Sequence, residues 1–287
     1  MGGELRKLDE EFHDRTAVGY DAEVTSLFAP QHRLGLAPWI EKLPERVQEG
    51  WALDDGAGTG VVALLLASVC RRVAAVDHSA RMLEIARGKA AQAGADNIHF
   101  VRVNCHHLPF AQASFRVVTV QGLLHHHGAV NWRLATAETV RVLAPGGVLY
   151  ISEPCRETNP VARSLAFVVG TGIRLGRALA HPLRVLRRRR AALTSRAPAQ
   201  EKVAEGPISA WELVRELRRL GLTVRTRYLT DIPAAVTLPV GWRTFLTRLV
   251  SAPLGRRRGD VLFVYATKPE AGSPDTSSSA AERRRDT

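Results

Sequence analysis

The chain has 287 residues, 45% of them hydrophobic, which is enough for one large α/β domain with additions or for two smaller domains. No uncharged apolar run reaches the roughly 18 residues of a membrane-spanning helix, and the N-terminus lacks the apolar core of a secretory signal, so neither a membrane-embedded nor a secreted protein is expected. The formal net charge is +12, but only five of the 40 basic residues are lysine, an arginine bias that a GC-rich genome also produces. Composition therefore names no partner.

The cysteines indicate the compartment. Cys70, Cys105 and Cys155 are odd in number and widely spaced, which fits neither a disulfide framework nor a zinc motif. A reducing, cytoplasmic location is expected.

Strand and helix patterns alternate through the first half of the chain. Helices are predicted at 61–70, from Met82 onward with Ser79 as N-cap and Gly94 as stop, and near Asn131–Val142. Strands are predicted at 51–55, 72–79 (with Asp77 at the strand end), 98–104, 115–121 and, after a turn at 144–147, at 148–154. This alternation predicts a parallel, doubly wound sheet that binds ligands at the carboxyl ends of its strands.

The alternation breaks after Glu153 and resumes near residue 209. Residues 158–200 contain no acid and many arginines. A capped helix at 209–221 follows, and two more strands are predicted at 222–229 and 261–268, with an apolar excursion around 242–249 between them. The Ser- and Arg-rich residues 271–287 are expected to be disordered.

The stretch "WALDDGAGTG" (51–60) places two acids before a glycine-rich turn. Adjacent carboxylates repel each other and Asp is depleted in strands, so at least one acid is expected to face a polar ligand. Glycines at 56, 58 and 60 let a ligand approach the backbone and the amides of the following helix. Asp77, at the end of the next strand, is well placed for ribose hydroxyls.

Several segments in order resemble the class I S-adenosylmethionine-dependent methyltransferases over roughly residues 50–155. "ALDDGAGTG" is similar to the family's "VLDVGCGTG", "VAAVDHSARMLEIAR" resembles the segment that follows it, and "VNCHHLPFAQASF" resembles "GDAxxLPFxxxSF". "VQGLLHHH" and "VLAPGGVLYISEP" resemble the "LHH" and "LKPGGxLxxxxP" segments. The resemblance implies a Rossmann-like α/β fold with a seven-stranded sheet, mostly parallel with the last strand antiparallel.

The resemblance also implies the organisation of the chain. It adds a helical N-terminal cap and an inserted lid to the sheet. The resulting parts are the cap (1–48), the cofactor-binding core (49–155), a basic apolar lid (156–207), the C-terminal part of the sheet (208–268) and a disordered tail (269–287).

The cofactor implied by the resemblance is S-adenosyl-L-methionine. Asp54 would orient its methionine amino end, Asp77 would accept from both ribose hydroxyls, and Asn104 would accept from the adenine amino group, although the family usually has Asp at that position. Cys105 would donate through its backbone N–H, while its thiol is interpreted as apolar filler. The further cofactor-side residues implied are Tyr20, Gly56, Ala57, Gly58, Gly60, His78, Met82 and Gln121, with ordinary helix packing as the alternative for Met82.

Asp55 falls where the family usually has an apolar residue. Because side chains alternate along a strand, it should point away from Asp54 towards a flanking helix or loop. A backbone donor or an arginine is the expected partner, since burial without one is costly.

The run His125–His127 is the candidate for proton transfer. His125 and His126 follow the fourth strand and are either general bases or structural residues of the matching segment. A metal is not expected there, because adjacent residues on a turn seldom point at one ion. His106 and His107 are interpreted as surface residues. Methyl transfer itself needs mainly in-line geometry, so a base is required only for a protonated acceptor.

The fourth-strand segment "QGLL" (121–124) bears on the acceptor. It lacks the Asn/Asp-Pro-Pro-aromatic run of enzymes that methylate nucleobase or glutamine amino groups, which argues against nucleic acid and protein acceptors. The favoured acceptor is an O, N or C atom of a small, fairly apolar metabolite, such as a natural product or a quinone-like compound. Residues 161–190 either form a lid whose arginines face water or contact an anionic membrane.

Two competing hypotheses remain from sequence. Gly-x-Gly turns also mark NAD(P)-dependent oxidoreductases. A non-catalytic scaffold of the methyltransferase type would follow if Asn104 and Asp55 deform the pocket.

Overall fold

A computed structural model of the chain describes residues 32–156, 160–180, 206–230, 240–251 and 259–270. In this part of the chain seven strands form one sheet in the order β3-β2-β1-β4-β5-β7-β6. The strands are β1 (Trp51–Asp55), β2 (Arg72–Asp77), β3 (Ile98–Arg102), β4 (Phe115–Gln121), β5 (Leu143–Pro154), β6 (Thr223–Leu229) and β7 (Val261–Thr267).

Helices cover the sheet. They are α1 (Ala37–Ile40), α2 (Glu45–Gln48), α3 (Val61–Ala67), α4 (Ala80–Ala93), α5 (Gly128–Val142), α6 (Pro160–Ala180), α7 (Ala210–Arg219) and α8 (Val240–Ser251), with a π-helical turn at His32–Leu36 and a 3₁₀ turn at Leu124–His127. None of the helices in the described ranges is long and apolar enough to cross a membrane.

The sheet is mostly parallel with its last strand in the chain antiparallel, as predicted. β1 to β5 pair in parallel, whereas β7 lies between β5 and β6 and runs antiparallel to both. Side chains of neighbouring strand residues belong to separate cores, since Leu53 packs in one buried cluster and Ala52 in the other. A sheet buried on both faces explains why its inner strands read as continuous apolar runs. The predicted doubly wound fold is confirmed.

The two ends of α4 lie at the capping residues predicted from the sequence. The Ser79 hydroxyl accepts the Met82 N–H at 3.1 Å, and Gly94 ends α4 in the left-handed region at φ +65°. These are the N-cap and C-terminal glycine that the sequence predicted.

The predicted turn at 144–147 is part of β5 instead. The pairing of β4 with β5 jumps from Phe115–Leu143 to Val117–Val148, so the turn residues form a bulge inside the strand. The Gly146 N–H donates to the Lys268 carbonyl at 2.8 Å and the Lys268 N–H donates to the Gly147 carbonyl at 3.0 Å, which ties the bulge to the chain after β7. That long-range pairing has no signal in the local sequence.

Several predicted parts lie outside the described residues. They are most of the N-terminal cap (1–31, with Tyr20), the second half of the lid (181–205) and most of the tail (271–287). Residues 32–48 contain the π-helical turn, α1 and α2, and residues 160–180 form the single long helix α6.

Candidate active site

The glycine-rich loop after β1 is fastened to the end of β2. The N–H groups of Gly56 and Ala57 both donate to the Val76 carbonyl, at 3.0 and 2.8 Å. Gly60 adopts φ +82° and a Cβ there would lie 2.8 Å from the Ala86 Cβ, so only glycine fits where the loop passes over α4. The loop then leads into α3, whose first amides lie at the carboxyl edge of the sheet.

Asp77 lies beside this loop at the end of β2. Its Oδ2 accepts the Gly58 N–H at 2.8 Å and its Oδ1 accepts the Ser79 N–H at 2.9 Å. The side chain retains 10% of its exposure, so the carboxylate is fixed in orientation yet reaches the crevice beside the loop. Each oxygen keeps a further lone pair with which it can accept a ligand hydroxyl.

Asp54 is buried at the centre of the site. The Thr119 hydroxyl of β4 lies 2.8 Å from its Oδ1, while Oδ2 has no hydrogen-bond partner in the described part of the chain. Burial, reinforced by the nearby charge of Asp77, raises the pKa of Asp54 to about 7, although the Thr119 hydroxyl and the Ala63 amide act in the opposite direction. A buried acceptor without a donor is costly and is suited to a cationic or hydrogen-bonding ligand group.

Asp55 points to the other face of the sheet, as strand alternation predicted. Its partner is neither a backbone donor nor an arginine, but the Thr139 hydroxyl of α5, 3.1 Å from Oδ2. The same hydroxyl lies 2.9 Å from the Ala135 carbonyl, so its proton is shared between these two acceptors. Burial, reinforced by the charges of Asp54, Asp77 and Glu138, raises the pKa of Asp55 to about 7, although the Thr139 hydroxyl acts in the opposite direction.

Glu153, at the end of β5, organises the segment after β4. This fully buried carboxylate accepts the N–H groups of Leu123 and Leu124 at 2.8 and 2.9 Å and that of His125 at 3.4 Å. Its Oε2 also lies 2.8 Å from Nδ1 of the His125 ring. With three backbone donors already on the carboxylate, Nδ1 of His125 is the donor, and the lone pair of the ring is on Nε2.

Glu153, Thr119 and Thr139 were not among the site residues predicted from the sequence. The signal for Glu153 was an acid at the carboxyl end of a buried strand, the same signal that identified Asp77. The two threonines gave only a weaker signal, a hydroxyl within an otherwise apolar strand or helix face.

The remaining predicted residues surround this centre. Gln121 ends β4, and the His126 ring stacks on the His125 ring with centroids 4.1 Å apart. The Asn104 Oδ1 accepts the His106 N–H at 3.0 Å, and Cys105 is buried beside it. Met82 is buried within α4, and His78 lies next to Asp77 with its Nδ1 3.5 Å from that carboxylate.

A half-buried clamp from α5 holds the loop that follows Asn104. The Glu138 carboxylate accepts the Leu108 N–H at 2.9 Å, and Arg141 donates to the carbonyls of Leu108 and Phe110 at 2.9 and 2.8 Å. Arg141 also pairs with Glu138, which lowers the pKa of that carboxyl. The loop after β3 is therefore positioned by a helix that follows β4.

Comparison with known proteins gives the class of this arrangement. Residues 52–147 match the family model described as "Methyltransferase domain". The chain is 32% identical over 145 residues to the ubiquinone/menaquinone biosynthesis C-methyltransferase UbiE of Brucella anthropi, covering 49% of this chain and 54% of that protein. It is 38% identical over 111 residues to the demethylmenaquinone methyltransferase of Clavibacter sepedonicus, covering 39% of this chain and 44% of that protein. The chain thus spans about half the length of the curated relatives it matches.

Among solved structures, the DhpI–SAH complex superposes with a TM-score of 0.58 over 94% of this chain and all of that chain, at 16% identity. Together with the sheet order, this shows a Rossmann-like fold shared with that structure. The matched range, residues 52–147, contains the glycine-rich loop together with Asp54, Asp55 and Asp77.

Proposed function

We propose that the chain transfers a methyl group from S-adenosyl-L-methionine to an O, N or C atom of a small, fairly apolar acceptor of the quinone or natural-product kind. The observation that carries the proposal is Asp77. Two backbone amides, from Gly58 and Ser79, orient its carboxylate beside the glycine-rich loop. A carboxylate fixed at a strand end beside a glycine-rich turn is suited to a ribose diol.

Asp54 supports the cofactor assignment independently. Its Oδ2 is a buried acceptor without a partner in the described ranges, and the α-ammonium of a bound amino acid would supply the missing donor. Such a cation would also lower the pKa that burial has raised. A nicotinamide dinucleotide carries no corresponding ammonium group.

The cofactor supplies a sulfonium whose methyl group is already activated. The residues of the chain would then have to hold the acceptor in line with that methyl group, for which orientation alone can provide about 7–11 kcal/mol. For an acceptor that must lose a proton, His125 is the base that we propose, since Glu153 holds its Nδ1 and sets the tautomer with the lone pair on Nε2. The His126 ring stacks on the His125 ring.

The acceptor class is inferred from an exposed apolar face on α6 and α8, helices that are in contact with each other. On α6, Ala166 and Gly170 are buried whereas Phe167 and Val168 are 72% and 65% exposed. On α8, Trp242 is 64% exposed and its ring meets Phe245 edge-on. Two of the relatives are named for ubiquinone/menaquinone biosynthesis and for methylation of demethylmenaquinone, and quinones of this kind are apolar. The arginines of 161–190 would favour binding to an anionic membrane, from which an apolar acceptor would be taken.

Calorimetric titration tests the cofactor assignment. S-adenosylmethionine and S-adenosylhomocysteine should bind the full chain, and Asp77→Ala should weaken binding by about 30-fold or more, the value of two charge-assisted hydrogen bonds. Asp96→Asn, at an exposed position after α4, is the matched control and should bind as the wild type does. Binding of NAD(P) instead would favour an oxidoreductase, and binding of neither cofactor would favour a non-catalytic scaffold.

Vesicle flotation tests the membrane part of the proposal. The chain should float with vesicles that contain anionic lipid, and Phe167→Ser combined with Trp242→Ser should reduce the bound fraction. Trp211→Ser removes an equally exposed tryptophan from α7 and serves as the control. Binding that is indifferent to lipid charge, or to the double substitution, would contradict this part alone.

A further inference from the structure

We propose that Cys105, His106 and His127 form a binding site for one divalent transition-metal ion, with Zn²⁺ as the probe. Their ligand atoms all lie within 4.8 Å of one another. The Cys105 Sγ and the His127 Nε2 are 3.2 Å apart, and the rings of His106 and His127 meet edge-on with centroids 4.6 Å apart. Tetrahedral zinc with ordinary Zn–S and Zn–N bonds places sulfur and nitrogen about 3.5 Å apart, so small rotamer adjustments would complete the coordination.

The three residues come from two different loops at the carboxyl edge of the sheet. Cys105 and His106 follow β3, and His127 ends the 3₁₀ turn that follows β4. This explains why the sequence predicted no metal. The neighbouring histidines at 125 and 126 do not join the cluster, and the spacing between the contributing residues matches no familiar zinc motif.

The backbone that carries these residues is held in place. The Asn104 side chain accepts the His106 N–H at 3.0 Å, and the Glu138–Arg141 clamp fixes the loop just beyond His107. His127 is anchored between the Glu153-bound segment and the first turn of α5. Ligands on fixed elements form a site more readily than ligands on loose loops.

The chemistry of the ligand set defines the kind of ion. One thiolate and two imidazoles favour Zn²⁺ and its first-row neighbours over Mg²⁺ or Ca²⁺, which require oxygen ligands. Cys105 is only 7% exposed, so its bond to a metal would be shielded from solvent. Three protein ligands leave a tetrahedral ion one position for water or another ligand. The ion would join the loop after β3 to the turn after β4, two walls of the proposed cofactor crevice.

Metal content is measured on full-length protein freed of any affinity tag, stripped with chelator and then equilibrated with Zn²⁺. One zinc ion per chain is expected. Cys105→Ser, His106→Asn and His127→Asn should each weaken zinc binding at least tenfold in a competition titration. His107→Asn changes an exposed histidine in the same loop and should bind zinc as the wild type does.

Cobalt substitution tests the sulfur ligand directly. Co²⁺ bound to the wild type should show a sulfur-to-cobalt charge-transfer band, which Cys105→Ser should abolish and Cys70→Ser should retain. Circular dichroism and the melting temperature of the metal-free variants establish that they are folded. Absence of zinc uptake, or uptake that Cys105→Ser leaves unchanged, would overturn the proposal. Neither result depends on whether the chain binds S-adenosylmethionine, so the metal site and the proposed function can fail separately.

Discussion

The loops after β1 and β2 and the loops after β4 and β5 share one edge of the sheet but are constructed differently. The first pair is made by backbone conformation, in the form of left-handed glycines, an N-cap and amides that point at Asp77. The second pair is made by one buried side chain, Glu153, which collects the amides of the following turn and the ring of His125. The geometry around the glycine-rich loop is therefore encoded locally, whereas the opposite side depends on a single long-range carboxylate.

Glu153→Gln tests most directly whether this carboxylate holds the segment after β4. Glutamine has one carbonyl oxygen in place of two carboxylate oxygens, and its NH₂ group would face the backbone N–H groups and the His125 ring that donate to Glu153. Some of these donors would therefore lose their acceptor. We expect the free energy of unfolding to fall by about 2–4 kcal/mol in urea denaturation. Affinity for S-adenosylhomocysteine should change little, the reverse of the pattern expected for substitution of Asp77.

The control for this experiment is Glu84→Gln, which removes one partner of an exposed ion pair with Arg81. Its effect should stay within about 0.5 kcal/mol. A loss of stability at Glu153 no larger than at Glu84 would show that the turn after β4 is held by something else.

The free energy of unfolding should depend on pH because the two buried acids of β1, Asp54 and Asp55, titrate. Their folded-state pKa values are raised to about 7, so the unfolded chain releases protons that the folded chain keeps. The stability contributed by the protonated forms is therefore present in full below the unfolded pKa near 4 and is lost as the pH rises through about 7.

Asp55→Asn isolates one of these acids. Thermal or urea unfolding of the wild type between pH 5 and pH 8.5 should show a loss of about 2–3 kcal/mol for each acid. The variant should show about half the total loss, because Asp54 continues to titrate. An identical pH profile for both proteins would mean that Thr139 stabilises the Asp55 carboxylate far better than burial penalises it.

The two regions also differ in how much of them the sequence could predict. The strand that ends at Asp77, the Ser79 cap and the Gly94 stop follow from local patterns, and each lies where it was predicted. The bulge at 144–147 and the roles of Glu153 and Thr139 depend on residues brought together from distant parts of the chain. Local propensity contains no information about such partners, so only the fold reveals them.

Gly60→Ala tests the locally encoded side. The left-handed backbone and the approach to Ala86 leave no room for a methyl group, and we expect a loss of about 1–3 kcal/mol in unfolding free energy together with weaker cofactor binding. Gly88, in the middle of α4 with open space around its Cβ position, provides the opposite control. Gly88→Ala should stabilise by about 0.5–1 kcal/mol, because it lowers the entropy of the unfolded chain. Equal effects at the two positions would show that the backbone conformation of Gly60 and its approach to Ala86 do not require glycine.

Arg141→Lys addresses the point at which the two regions meet, since α5 belongs to the β4 side but clamps the loop after β3. Lysine keeps the charge yet cannot reach Glu138, Leu108 and Phe110 together as the guanidinium does. We expect a loss of about 1–2 kcal/mol and faster exchange of the Leu108 amide hydrogen, measured by urea denaturation and by hydrogen exchange. Arg81→Lys, in the exposed ion pair of Arg81 with Glu84, should change neither the unfolding free energy nor the exchange rate appreciably.

Because the clamped loop begins at Asn104 and Cys105, a loop that opens more often should also weaken the binding of both the adenine nucleoside and zinc. A loop that exchanges no faster in the variant would mean that each side of the site is rigid on its own.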